Sequence, residues 1–268
     1  MTPWLELARS SVQDIRGVLR DLPTRVEREP VLRAGEGGDD TTAIDAAAEA
    51  AIVARLEALT EGFTLVSEEL GERSFGTGGP WRVVVDPIDG SVNAKRGIPF
   101  FSLSIAVADG ATMGDVRFAY VYDFGSGEEW TAERGGGARL DGEPLGGVRP
   151  KDPVEILAFE GTTSVAIAAN VAAVLPLANR LRVMGSLALS LCYLAAGRID
   201  AVCSLKEARA VDIAAAQLLV REQGLAIELP QTPPFIAAPL DLGHRSRVVA
   251  AATSERCAEL AAALGPAR

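Results

Sequence analysis

Hydrophobic residues recur at helical spacing in two segments near the start of the chain. Apolar side chains step by three or four residues over 4–19, which predicts a first amphipathic helix. A second stripe over 44–59 predicts another helix, and Thr41 or Thr42 can cap its start. Two prolines and a Gly-rich stretch separate these segments and interrupt the helical pattern.

The hydrophobic pattern changes to short strand-like runs after the second helix. Gly-rich turns separate the runs, and the pair Asp141 and Gly142 is a strong hairpin signal. The runs cover residues 63–69, 81–87, 100–110, 115–123, 128–133 and 138–145. This pattern predicts helices beside an antiparallel sheet over residues 1–150.

The remaining chain alternates between apolar strand-like runs and Ala-rich helical runs. Strands are predicted over 154–161, 180–185, 200–205 and 246–252, and helices over 163–175, 186–197, 212–224 and 254–264. Such alternation is typical of an α/β layer. We therefore predict an N-terminal α+β half, 1–150, and a C-terminal α/β half, 151–268.

Composition narrows the class of protein. The chain has 268 residues, 48% of them hydrophobic, so it can bury a large core and is not disordered. Its net charge of -10 argues against a nucleic-acid binder, and its apolar runs are too short to span a membrane. The start of the chain resembles no secretion signal, so we expect a cytoplasmic protein.

Cysteine and histidine usage excludes several kinds of site. The three cysteines are widely spaced, which predicts neither a disulfide framework nor a zinc site. Cys192 and Cys203 stand among apolar residues and are predicted to be core side chains. The single histidine, His244, lies in a polar stretch and is predicted to lie on the surface.

Two carboxylates follow an apolar strand at residues 86–91, where the sequence reads DPIDGS. Pro87 and Gly90 favour a turn that points Asp86 and Asp89 to one place. Neighbouring carboxylates repel unless a hard cation such as Mg²⁺ lies between them, and Gly90 and Ser91 can offer backbone N–H groups to an anion. From these residues alone, a surface turn is an equally good interpretation.

Further acids stand at other strand and helix ends. Glu68 and Glu69 follow the apolar run over 63–67, Asp45 lies in the first turn of the second helix, and Asp212 begins a later helix. Each acid alone fits a solvated charge or a helix-start residue. Together they indicate a metal centre with oxygen ligands.

The order of these motifs resembles that of the inositol monophosphatase superfamily of Mg²⁺-dependent, lithium-sensitive phosphatases. Residues 86–93 read DPIDGSVN where the family has DP[IL]DG[TS]xN, and residues 67–69 read SEE where it has GEE. Residues 39–45 match DxxTxxD. Residues 185–186 and 211–216 match the family's C-terminal GS…[WV]DxAA element. The resemblance covers nearly the whole chain and implies a layered αβαβα sandwich with its site between the two halves.

The resemblance implies ligands for two to three Mg²⁺ ions per site. Asp86, Asp89 and Asp212 would hold one ion, and Glu68, Asp86 and the carbonyl of Ile88 would hold another. These assignments are carried over residue by residue from the matching motifs.

The resemblance also implies the catalytic and phosphate-binding groups. Glu68 and Asp45 would lie near the third, weaker ion, and the amides of Gly90 and Ser91 would bind phosphate. Asp45, Glu68 and Ser91 would be catalytic, with Ser91 and Asp45 orienting or deprotonating the attacking water. No histidine is needed in this scheme.

For the substrate, the resemblance implies a small phosphorylated sugar or cyclitol bound by Asp89, Gly185 and Ser186, and it implies a homodimer. The sequence around Asn93 and Asp212 resembles the archaeal-type branch with dual inositol monophosphatase and fructose-1,6-bisphosphatase activity. Ser204 stands where many inositol phosphatases have a hydroxyl-binding Glu. A second phosphate needs a cation, for which the candidates are Arg182 (our first choice), Arg180, Lys206 and Arg209.

The sequence departs from the family pattern in three places, and it leaves three other functions open. Ser67 replaces Gly, Val211 replaces the usual Trp, and residues 206–211 are one residue longer than in inositol phosphatases. The alternatives are a 3′(2′),5′-bisphosphate nucleotidase, a histidinol-phosphate phosphatase and an inactive regulatory relative. The presence of all the acidic ligands argues against the last of these.

Overall fold

The computed structural model describes residues 3–265 except 37, 39, 60, 61, 162 and 233. Its α-helices are α1 (Pro3–Asp21), α2 (Arg25–Arg28), α3 (Ala43–Glu57), α4 (Ser91–Arg96), α5 (Ser164–Val174), α6 (Leu187–Ala195), α7 (Ala210–Ile213), α8 (Ala216–Glu222) and α9 (Ser254–Leu264). Two short 3₁₀ helices cover Met113–Asp115 and Phe235–Ala237.

The strands before residue 150 are β1 (Val31–Ala34), β2 (Asp40–Thr42), β3 (Phe63–Ser67), β4 (Gly71–Phe75), β5 (Trp81–Asp89), β6 (Ser102–Ala108), β7 (Val116–Asp123), β8 (Glu129–Glu133), β9 (Gly137–Leu140) and β10 (Glu143–Pro144). Those after it are β11 (Val154–Glu160), β12 (Ala178–Arg182), β13 (Ala201–Ser204), β14 (Ala226–Glu228) and β15 (Val249–Ala251).

Over the described residues, these strands form two main sheets and one hairpin. The eight-stranded sheet has the order β10-β9-β8-β7-β6-β5-β3-β4, and its β3 and β5 are parallel while the other neighbours are antiparallel. The five-stranded sheet has the order β12-β11-β13-β15-β14, with β11 parallel to both β12 and β13. Among the strands that the structure describes, β1 and β2 pair only with each other.

Helices cover both faces of each sheet because the central strands are apolar on both sides. Val83 and Val85 of β5 pack with α1 and α3, whereas Val84 faces α6 and α8 on the opposite side. The five-stranded sheet packs α6 and α8 on its inner face and α5 and α9 on its outer face. The layers therefore follow the order αβαβα, which confirms the predicted sandwich.

The two predicted halves meet at the layer formed by α6 and α8. The eight-stranded sheet is built before residue 150 and the five-stranded sheet after it. Side chains of α6 and α8 nevertheless belong to one hydrophobic cluster that includes both sheets. The division at 150/151 as a domain boundary stays a prediction.

Local signals explain several turns and ends. Asp141 (φ 51°) and Gly142 (φ 84°) both take positive φ between β9 and β10, as the hairpin signal predicts. Cys192, Cys203 and Cys257 are buried and free, and His244 is exposed beside Asp241. No helix in the described part of the chain is long and apolar enough to cross a membrane.

Candidate active site

The end of strand β5 turns sharply and gathers the first site residues. Asp86 and Asp89 are 3% and 8% exposed, and the pairing of β5 with β6 shifts register between them. The N–H of Ile88 donates to Asp86 Oδ1 at 3.0 Å, and the Ser91 hydroxyl donates to the Ile88 carbonyl at 3.0 Å. These two bonds hold the turn in which the carboxylates lie.

Gly90 lets the second half of the chain approach this turn. Its φ of 95° favours glycine, and a Cβ added there would lie 3.0 Å from the Gly185 carbonyl. Gly90 also precedes α4, whose first residue is Ser91. The predicted phosphate-binding pair therefore lies next to Gly185 from the opposite half.

Three carboxylates converge beside this turn, and we call Glu68, Asp86 and Asp212 the carboxylate cluster. One oxygen atom from each lies within 4.8 Å of the others. Glu68 directly follows β3, which runs parallel to β5, so both strands deliver their acids to the same edge of the sheet. Asp212 arrives from α7 in the second half.

Burial and mutual repulsion disfavour charge in the carboxylate cluster. Burial raises the pKa of Glu68 to about 7, against the opposing effect of Arg209. Burial, then the charges of Glu68, Asp89 and Asp212, raise the pKa of Asp86 well above its usual value. A set of converging oxygen donors fits a hard cation such as Mg²⁺, which would relieve this repulsion.

Arg209 supplies a positive charge within the carboxylate cluster. Its Nη1 lies 2.7 Å from Glu68 Oε1, and its Nη2 lies 3.0 Å from Asp212 Oδ1. Its backbone N–H also donates to Asp212 Oδ2 at 2.6 Å. Arg209 thus contacts the cluster itself, and Arg209 rather than Asp212 is the N-cap of α7.

Asp89 lies beside the cluster and is bound by the start of α6. Its Oδ2 accepts the Ser186 hydroxyl and the Ala188 N–H, the latter at 2.9 Å. Burial raises its pKa to about 6, although the Ser186 hydrogen bond opposes this rise. Two predicted site residues, Asp89 and Ser186, are therefore in direct contact.

Asp45 lies in the first turn of α3 and is 4% exposed. Its Oδ2 accepts the hydroxyl and N–H of Thr42 at 2.5 and 3.1 Å. Its buried Oδ1 has no hydrogen-bond partner among the described residues. The neighbouring Glu69 accepts the Thr41 hydroxyl, and burial followed by the charge of Asp45 raises its pKa. Asp39, at the start of this motif, lies outside the described residues.

The candidates for binding a second phosphate differ in their surroundings. Arg182 ends β12 and is exposed, with its Nη1 donating to the Leu181 carbonyl at 2.9 Å. Arg180 forms an ion pair with Glu155, in which Nη1 lies 3.5 Å from Oε1. Lys206 is exposed and packs beside Gly161.

Ser204 lies at the end of β13 and is 2% exposed. Its hydroxyl oxygen accepts the Val248 N–H at 2.8 Å. It therefore has a partner in the neighbouring part of the five-stranded sheet.

Glu160 is a buried acid that the sequence pattern did not predict as a site residue. It ends β11 and accepts the Gly185 N–H at 2.9 Å and the Ser190 hydroxyl at 2.6 Å. Burial raises its pKa to about 7. The available signal was an acid followed by glycine at the end of an apolar strand, the same pattern that drew attention to Asp89.

The fold agrees with comparisons to known proteins. Phosphatases are among the enzymes that use bound metal ions to stabilise the attacking and leaving oxygens at phosphorus. Residues 3–266 match the inositol monophosphatase family, and the chain belongs to it. The chain is a phosphatase of this family, for which metal dependence is typical.

Individual members of the family are similar to this chain over most of its length. The chain is 34% identical over 233 residues to the fructose-1,6-bisphosphatase/inositol-1-monophosphatase of Methanothermobacter thermautotrophicus, covering 82% of each protein. It is 36% identical over 195 residues to the Nus factor SuhB of Escherichia coli, covering 69% of this chain and 70% of that protein. The crystal structure of the MJ0109 gene product, an inositol monophosphatase–fructose 1,6-bisphosphatase, superposes with a TM-score of 0.84 at 26% identity over 98% of this chain and all of the other.

Proposed function

We propose that this phosphatase is a Mg²⁺-dependent phosphomonoesterase that hydrolyses fructose 1,6-bisphosphate and inositol 1-phosphate. The observation that carries the proposal is the carboxylate cluster beside Gly90 and Ser91, at the contact between the two halves. The dual name of the relative from Methanothermobacter thermautotrophicus supports the pair of substrates.

The carboxylates of Glu68, Asp86, Asp89 and Asp212, with the carbonyl of Ile88, would hold two to three Mg²⁺ ions. When bound, such ions supply Lewis acidity that activates water and neutralises charge on a phosphate. The protein contributes the placement of the ligands: β3 and β5 present Glu68 and Asp86, and α6 fixes Asp89.

The remaining groups of the site would bind phosphate and handle a proton. The backbone N–H groups of Gly90 and Ser91 would donate to phosphate oxygens. The Ser91 hydroxyl would orient the attacking water, and Asp45, whose buried Oδ1 lacks a partner among the described residues, would accept its proton. Glu68 would support this step near a third, weaker cation.

The sugar or cyclitol would lie against Asp89, Gly185 and Ser186. The carboxyl ends of parallel β11, β12 and β13 share one edge, where ligands commonly bind in α/β sheets. Arg182 at this edge would bind the second phosphate of fructose 1,6-bisphosphate. Ser204, at the same edge, provides no carboxylate that would repel that phosphate.

A panel of substrates tests the proposal. Purified protein is assayed for phosphate release with and without Mg²⁺, on fructose 1,6-bisphosphate, inositol 1-phosphate, a 3′,5′-nucleotide bisphosphate and histidinol phosphate. We expect Mg²⁺-dependent release from the first two and none in chelator. Preference for the nucleotide or for histidinol phosphate would replace the proposed substrates with that alternative, and activity that survives chelation would contradict the metal centre.

We propose in addition that the enzyme is a cytoplasmic homodimer. Three buried, free cysteines are consistent with a reducing compartment. Light scattering of the purified protein tests the dimer: a mass near the 28.0 kDa of one chain would contradict it.

A further inference from the structure

Arg209 places a guanidinium between the two halves of the chain, against the oxygens proposed to bind metal. It bonds Glu68, which follows β3 in the first half, and Asp212 on α7 in the second. Its side chain is only 7% exposed. A divalent cation in the carboxylate cluster would need the same two carboxylates, so the two positive groups compete for them.

The guanidinium compensates a strong local repulsion. Three carboxylates with oxygens within 4.8 Å of one another are disfavoured when all are charged. A guanidinium is always protonated, and that of Arg209 lies 2.7 Å from a Glu68 oxygen and 3.0 Å from an Asp212 oxygen. Arg209 is therefore suited to neutralise the cluster when no metal is present.

The side chain of Arg209 can be replaced without losing the backbone hydrogen bond that residue 209 donates to Asp212. The backbone N–H of residue 209 donates to Asp212 Oδ2 at 2.6 Å, and every substitution except proline keeps that donor. The side chain adds the link from Asp212 to Glu68. Its contribution to the cluster can thus be separated from helix capping.

We propose that Arg209 is a resident counter-ion of the metal site, which holds Glu68 and Asp212 together in the metal-free enzyme and is exchanged for the divalent cation. Two consequences follow. Arg209 stabilises the metal-free fold, and it weakens the affinity for the metal because the cation must displace it. This inference rests on the metal centre of the proposed function.

The test measures Mg²⁺ binding by calorimetry and the melting temperature in chelator, for the wild type and for Arg209→Met and Arg209→Lys. Arg209→Met should melt at lower temperature in chelator and bind Mg²⁺ at least about tenfold more tightly, because a nearby positive charge is gone. Arg209→Lys should bind Mg²⁺ more nearly as the wild type does, since it keeps the charge.

Arg82→Met is the matched control. Arg82 pairs with Glu72 at 3.0 Å and donates to the Leu240 carbonyl at 3.0 Å, so it also links the two halves. Its loss should lower the melting temperature without changing the Kd for Mg²⁺. A tighter Kd in this variant too would show that general loosening, not Arg209, controls metal affinity, and would overturn the proposal.

The outcomes separate this inference from the proposed function. An Arg209→Met variant that binds Mg²⁺ as the wild type does, or more weakly, overturns the counter-ion role alone. Absence of Mg²⁺ binding in both proteins contradicts the metal centre and the inference together. If Arg209→Met does not fold, ¹⁵N-arginine NMR of the wild type decides: the Arg209 Nε–H resonance should shift as Mg²⁺ binds, and an unmoved resonance overturns the exchange.

Discussion

The carboxylate of Asp89 accepts the backbone N–H of Ala188 at 2.9 Å, across the contact between the two halves of the chain. The Ser186 hydroxyl donates to the same oxygen, Asp89 Oδ2, and also caps α6 by accepting the Leu189 N–H at 3.2 Å. An anion is favoured at the N-terminus of a helix, so α6 stabilises the charge that the burial of Asp89 opposes. One hydroxyl therefore serves both the helix and the site.

We expect Ser186→Ala to damage activity as well as stability. The variant loses a helix cap, which is typically worth about 1 kcal/mol, and a hydrogen bond to a charged group. Asp89 should then be held less firmly, and kcat/KM should fall about tenfold or more. Thermal unfolding and steady-state kinetics measure the two effects.

Thr163→Ala provides the control for this prediction. Thr163 caps α5 in the same way, accepting the Ala166 N–H at 3.2 Å, on the outer face of the five-stranded sheet. It should lower the melting temperature and leave kcat/KM unchanged. If both variants lose activity equally, the Ser186 contact with Asp89 has no particular role.

Asp86→Asn should separate activity from stability. The proposed metal ligand loses its charge, and turnover should fall at least about 10²–10³-fold. In chelator the variant should instead melt at higher temperature than the wild type, because burial and three neighbouring acids disfavour the charge of Asp86. As a control, Asp109→Asn changes a half-buried acid that pairs with Arg117 and Arg134, and it should leave turnover intact. Normal turnover of Asp86→Asn at saturating Mg²⁺ would contradict the assignment of Asp86.

Local sequence signals predicted the elements that present the acids. Carboxylates after an apolar run indicated the end of β3, and Pro87 and Gly90 indicated the turn at the end of β5; these places hold Glu68 and Asp86. The hairpin of β1 and β2 was missed because β1 is exposed along its whole length and follows no alternating pattern. The break between α7 and α8 was missed because a continuous Ala-rich sequence crosses it.

Contacts between distant residues could not be predicted from the same signals. The sequence predicts Arg209 only as a candidate for a second phosphate, whereas the structure pairs it with Glu68 from the other half. The sequence does not predict the partners of Glu160, because Gly185 and Ser190 come from a loop and a helix much later in the chain. Both roles depend on tertiary contacts, across the two halves for Arg209 and between β11 and α6 for Glu160, and hydrophobic periodicity does not specify such contacts.

Ser91→Ala should lower kcat more than it raises KM. The backbone N–H proposed to bind phosphate survives, and only the hydroxyl that donates to the Ile88 carbonyl is lost. Orienting or deprotonating water is typically worth about 10²–10⁴-fold in rate. Steady-state kinetics on both substrates, with Ser126→Ala as a control away from the site, measure the effect. An unchanged kcat would exclude a role for the hydroxyl.

Without metal, the stability of the protein should depend on pH through the titration of Glu160. Its pKa rises from 4.5 in the unfolded chain to about 7 in the folded one, because it is buried. The folded state therefore binds the proton more tightly, so Glu160 contributes to the free energy of unfolding. This stabilisation is fully present below about pH 4.5 and is lost as the pH rises through about 7. The loss is on the order of 3 kcal/mol.

In Glu160→Gln, the free energy of unfolding should fall less than in the wild type as the pH rises from about 4.5 to about 7. Urea denaturation in chelator measures this free energy. Glu128→Gln is the control. Because Arg198 lowers the pKa of Glu128, the contribution of Glu128 is present above its ordinary pKa and is lost only as the pH falls below it. That variant should be less stable throughout the range without changing the slope. A Glu160→Gln curve parallel to the wild type would contradict the buried titration.

The choice of substrate should depend on Arg182. Its position at the carboxyl edge of β12 leaves it exposed, whereas Arg180 on the same strand pairs with Glu155. A charge-assisted hydrogen bond is worth about 1.5–3 kcal/mol, so Arg182→Ala should lower kcat/KM for fructose 1,6-bisphosphate about tenfold or more. Inositol 1-phosphate has no second phosphate and should change little, and Arg180→Ala should affect neither substrate. Equal losses on both substrates, or a wild type that ignores the bisphosphate, would exclude Arg182 as the second-phosphate ligand.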